Sequence, residues 1–106
     1  MKIHHEKMGS TRNLEHGLYK AISVIKTEEE AKIFFRDLCT PTEIQAMADR
    51  WRVVPLVKQK KPYRQIYEAT GVSMTTIGRV ARCLMLGFGG YDLIYQRLKK
   101  QSKKRE

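Results

Sequence analysis

Cysteine is scarce in this chain: Cys39 and Cys83 are the two in 106 residues. Two distant thiols cannot build a disulfide framework, and they lack the close pairing of zinc ligands. They read as reduced core thiols of a cytoplasmic protein. His4, His5 and His16 supply no ligand set either, so no metal is expected. Long apolar runs are missing as well: none approaches the ~18 residues that cross a bilayer. The opening Met1-Lys2-Ile3-His4-His5 has no apolar stretch of the secretory kind, so no leader is expected. No nucleophile–base pairing, phosphate loop or paired catalytic carboxylates can be picked out, which argues against an enzyme. Strand-like alternation is absent too, leaving helices as the one regular element the pattern supports.

Acid is the remaining shortage. Eleven Asp and Glu face 21 Lys and Arg, a formal net charge of +10. The excess is lopsided: residues 1–57 hold nine basic and eight acidic side chains, residues 58–106 twelve and three. Part of it is a basic tail at 102–106, expected to fray because it lacks apolar spacing. The rest, Lys58, Lys60, Lys61, Arg64, Arg79 and Arg82, brackets one short patterned segment. Polyanionic nucleic acid is the partner such a patch suits.

What is present is helical periodicity, expected to make one domain over 13–101 behind a flexible terminus at 1–12. Leu14, Leu18, Ile22 and Ile25 predict a first helix capped by Asn13. Thr27-Glu28-Glu29-Glu30 is a capping box opening a second helix, with Ala31, Phe34, Phe35 and Leu38 on one face. Thr40-Pro41-Thr42-Glu43 starts a third, with Ile44, Met47, Ala48, Trp51, Val54 and Val57 inward. Pro55 lies inside that pattern and predicts a kink or an early end. Pro62 opens a short helix to about Thr70, and Ser73 caps another running to about Leu86. Gly87-Phe88-Gly89-Gly90 breaks the chain before a last helix carrying Tyr91, Leu93, Ile94, Tyr95 and Leu98. The total is six.

Within 62–86, Ile66, Gly71, Val72, Ile77 and Val80 have the spacing of a helix-turn-helix. Gly71 makes the turn, Val72 seals it, and Ile77 with Val80 seats the second helix on the first. Tyr67 and Thr70 depart from the commonest form, which has a small and an apolar residue there. An ordinary helical hairpin has the same outline. The exposed face of the second helix tips the balance, because Ser73, Met74, Thr75, Thr76, Gly78, Arg79 and Arg82 include no acid. Hydroxyls bond phosphates or bases, Met74 can meet a thymine methyl, and arginine can bond guanine. Tyr63 and Arg64, at the start of the first helix, stand where such a motif meets the DNA backbone.

Two blocks together resemble the tryptophan-repressor superfamily. They are Leu38-Cys39-Thr40-Pro41-Thr42-Glu43-Ile44-Gln45-Ala46-Met47-Ala48-Asp49-Arg50-Trp51-Arg52 and Thr70-Gly71-Val72-Ser73-Met74-Thr75-Thr76-Ile77-Gly78-Arg79. The likeness extends over about residues 27–98 and is strongest to the repressor-like YerC/YecD branch. It implies an intertwined six-helix homodimer, double-stranded operator DNA as partner and a bacterial transcription regulator. It carries DNA contacts onto Tyr63, Arg64, Ser73, Met74, Thr75, Thr76 and Gly78. It also implies a slot for tryptophan or a related co-effector at Thr40, Arg50 and Arg79, although Val80 stands where the repressor has glycine. The competing reading, from a different class, is a helical adaptor that docks an acidic protein through the basic half.

Overall fold

The computed structural model describes residues 11–105, so most of the terminus expected to be flexible, residues 1–10, lies outside the described chain. The described residues form six α-helices and no strand: α1 (Thr11–Ser23), α2 (Glu28–Leu38), α3 (Pro41–Lys58), α4 (Tyr63–Thr70), α5 (Met74–Leu86) and α6 (Gly90–Arg105). The all-α reading holds. These helices divide into two compact units between Thr40 and Pro41.

In the first unit, α1 is already helical at Thr11, so Asn13 lies within it and does not cap it. The start of α2 follows the capping chemistry closely. Thr27 is extended, and its hydroxyl accepts from the Glu30 amide at 3.1 Å. Glu30 returns a carboxylate oxygen to the amide of Lys26 at 2.9 Å, one residue earlier than a standard box. Between α1 and α2 lies a concavity of about 440 Å³ lined by Ala21, Val24, Ile25, Ile33 and Phe34. No described residue of this unit is buried, and Leu14, Val24 and Ile33 are each more than half exposed.

The second unit holds the core. Val53, Val54, Ile66, Val72, Ile77 and Val80 form one buried cluster, with Trp51, Leu56, Val57, Leu84, Tyr91 and Tyr95 packed around it. Periodicity placed Val54 inward but not Val53, and both are fully buried. The reason is local: the second half of α3 packs against α4, α5 and α6 together, so more than one stripe of it is covered. Its first half has less cover, and Met47 and Ala48 remain exposed.

Pro55 does not end α3, which stays helical to Lys58. The ring removes one amide donor to the Trp51 carbonyl, a loss of ~3 kcal/mol in an isolated helix. Burial of Val53 and Val54 beside it supplies an opposing gain of about 1.5–3 kcal/mol each. The helix stops instead at a Schellman turn. The Lys60 amide donates to the Val57 carbonyl at 2.9 Å and the Lys61 amide to the Leu56 carbonyl at 3.3 Å. Lys60 takes the left-handed conformation there, with φ of 62°, in a position that usually holds glycine. On α6, Lys58 bonds Asp92 and also lies 5.1 Å from the centre of the Tyr95 ring. The α6 backbone is helical through Arg105.

Candidate nucleic-acid interface

The bihelical segment forms as its spacing predicts. Pro62 precedes α4 with ψ of 144°, Gly71 ends it at φ of 76°, and Ser73 opens α5. The left-handed φ explains why glycine suits position 71, since a side chain there would strain the backbone by ~1–2 kcal/mol. Val72 and Ile77 are buried beside Ile66, which locks the two helices together.

Thr70 departs from the apolar norm because its hydroxyl works inside the turn. It donates to the Ile66 carbonyl at 2.7 Å and accepts from the Val72 amide at 3.1 Å. The Thr70 carbonyl in turn accepts from the Arg52 guanidinium at 2.8 Å, and Arg52 pairs with Asp49 at 3.2 Å. Arg52 thus ties α3 to the turn that aims α5. Sequence reasoning passed over Arg52; the available signal was a polar residue in an apolar slot, which needs partners once partly buried.

At the amino end of α5, Ser73 accepts from the Thr76 amide at 3.1 Å and donates to the Thr76 hydroxyl at 3.1 Å. The Ser73 hydroxyl thus uses its donor and one of its two acceptor positions, while the Thr76 O–H remains a donor for another acceptor. Met74 (42% exposed) and Thr75 open to solvent beside them. One helical turn on, Gly78 sits between two other expected contacts. A Cβ placed there would lie 3.7 Å from Arg82 Nη1 and 3.9 Å from Tyr63 Cε2. Tyr63 of α4, Gly78 and Arg82 are thereby brought together. Arg79 projects from the same helix and is exposed.

Charge follows the same geometry. α5 contains no acidic residue, and its first turn offers free amides at the positive end of the helix dipole. Arg64 is exposed and reaches Glu68 of its own helix at 3.7 Å, a contact that solvent weakens. Of the residues expected around an effector, Arg50 is half-buried on α3 and Arg79 exposed on α5, whereas Thr40 belongs to the first unit. Val80, the residue that stands where the repressor has glycine, is fully buried in the core cluster.

The Trp repressor protein family matches residues 14–99. The uncharacterised protein YerC of Bacillus subtilis is 40% identical over 83 residues, covering 78% of this chain and 80% of that protein. Two crystal structures share the fold at 36% identity. One is a TrpR-like protein from Eubacterium eligens, with a TM-score of 0.75 over 89% of this chain and 95% of its own. The other is a candidate Trp repressor from Staphylococcus aureus, with a TM-score of 0.77 over 90% and 93%.

Proposed function

Since the chain belongs to the Trp repressor family, we propose that it is a non-enzymatic transcription regulator that binds operator DNA as a homodimer. Each subunit offers α5 to a major groove, with Ser73, Met74, Thr75, Thr76, Gly78, Arg79 and Arg82 toward the bases and phosphates. Tyr63 and Arg64 meet the flanking backbone. The observation that carries this reading is the acid-free, hydroxyl- and arginine-bearing face at the start of α5, held in a helix-turn-helix by buried Val72 and Ile77. Pairing of two copies is supported by the first unit, whose described apolar side chains find no buried place within one chain. Two-fold symmetry then sets the two reading helices about 34 Å apart, one DNA turn.

Selection of bound duplexes from a random pool, with and without tryptophan, tests the proposal and the effector slot together. A palindromic consensus with half-sites one turn apart supports it; recovery of unrelated sequences overturns it. Because cations meet phosphates, the affinity should fall steeply with salt. Arg64→Ala should weaken binding to most duplexes, while Met74 or Thr75 substitutions change which site is preferred. An adaptor for an acidic protein would instead keep its binding when Thr75 and Thr76 are replaced.

A further inference from the structure

Toward the carboxyl end of α5, the second unit has a cleft of about 690 Å³ that shares only Tyr63 with the residues proposed to meet DNA. Its volume falls within the ~300–1,000 Å³ range of small-molecule sites. Val57, Leu84 and Met85 give it an aliphatic lining, and Lys60, Lys61 and Tyr63 also border it. Asp92 is the acidic residue among its walls, and Lys58 is bonded to it, so that carboxylate is already neutralised. No ion pair involves Lys60 or Lys61 among the described residues. Lys60 is also kept in the left-handed conformation, with φ of 62°, where glycine would be unstrained. A strained side chain retained at the edge of a cavity directs attention to what that side chain does there.

We propose that this cleft binds a small organic anion with an apolar body, such as an aryl-alkyl carboxylate. The body lies against Val57, Leu84 and Met85, and the carboxylate accepts from the ammonium groups of Lys60 and Lys61. The site differs from the Arg50–Arg79 slot, because neither arginine lines it. Tyr63 borders the cleft and also lies beside Gly78 on the α5 surface, so an occupant touches a residue of that surface. A consequence for DNA affinity rests on the function proposed above; the binding itself does not.

The test is a titration of the ¹⁵N-labelled full-length protein with 4-phenylbutyrate and, separately, with its neutral amide. Saturable shifts centred on residues 57–63 and 81–85 are expected, with the acid binding about fivefold more tightly than the amide. In the Lys60→Gln, Lys61→Gln double variant that preference should vanish while the rest of the spectrum is retained. Equal affinity for acid and amide, no saturation at millimolar concentration, or shifts centred on α1, α2 or Leu93–Leu98 would overturn the proposal. Because no DNA is present, its failure leaves the DNA-binding reading untouched, and the duplex selection can fail without affecting this result.

Discussion

Lys60→Gly should make the protein more stable, although it deletes a side chain. Lys60 holds φ of 62° to close the Schellman turn after α3. A residue with a Cβ incurs ~1–2 kcal/mol in that conformation. Glycine relieves the clash but gives back ~0.5–1 kcal/mol through its greater freedom when unfolded. The balance is a gain of ~0.5–1 kcal/mol, or a rise in Tm of about 2–8 °C for a unit of this size. Both backbone bonds of the turn, at 2.9 and 3.3 Å, are made by main-chain atoms and survive the change. Urea unfolding can be followed by Trp51, the single tryptophan, whose ring lies 6.2 Å from that of Tyr91 and so reports on α3 against α6. Lys60→Ala is the control, because it removes the same charge and keeps the Cβ. Protein concentration must be equal throughout if two copies associate. A midpoint for Lys60→Gly no higher than that of the parent would refute the strain argument. So would an equal gain from Lys60→Ala, which would assign the effect to repulsion among neighbouring lysines.

Gly78→Ala should stabilise α5 by ~0.5–1 kcal/mol, since the added methyl meets Arg82 and Tyr63 only at ordinary contact distances of 3.7 and 3.9 Å. The same methyl projects from the face proposed to meet DNA, so duplex affinity should drop severalfold; unchanged affinity in a filter or anisotropy assay would remove Gly78 from the interface. Thr70→Val strips the Val72 amide of its acceptor and should cost ~1–3 kcal/mol in urea unfolding, with a loss of DNA affinity that no direct contact explains. Lys58 holds the Asp92 carboxyl below its ordinary pKa of 3.8, so the ionised form favours the fold. That contribution is complete above the ordinary value and is lost as pH falls through the lower folded one. Asp92→Asn should therefore flatten the acid limb of a stability–pH curve below about pH 4, and an unaltered limb would count against the pairing.

Most of the fold could be read from local chemistry. Thr27, Ser73, Pro62 and Gly71 each act within one helical turn of the boundary they set, so their signals survive without knowledge of tertiary contacts. Pro55 misled because its cost is local while the compensation comes from α4, α5 and α6, far along the chain. Val53 was hidden for the same reason, as a helix packed on several sides loses its single apolar stripe. Residue types on the α5 face were legible, and so was their lack of acid. Their distances to Tyr63 across the turn were not, nor was the strap from Arg52 to the Thr70 carbonyl. The cleft beside Lys60 was invisible in the sequence, because it is assembled from the ends of separate helices.

The first unit has a consequence for the life of the protein in a cell. Helices α1 and α2 carry leucines, isoleucines and phenylalanines, yet bury none of those described within one copy. If two copies pair as proposed, a subunit that has not yet met its twin presents those apolar side chains to solvent. On that reading its stability depends on how much of its own kind is present. That dependence should surface as a melting point that climbs on concentrating the sample.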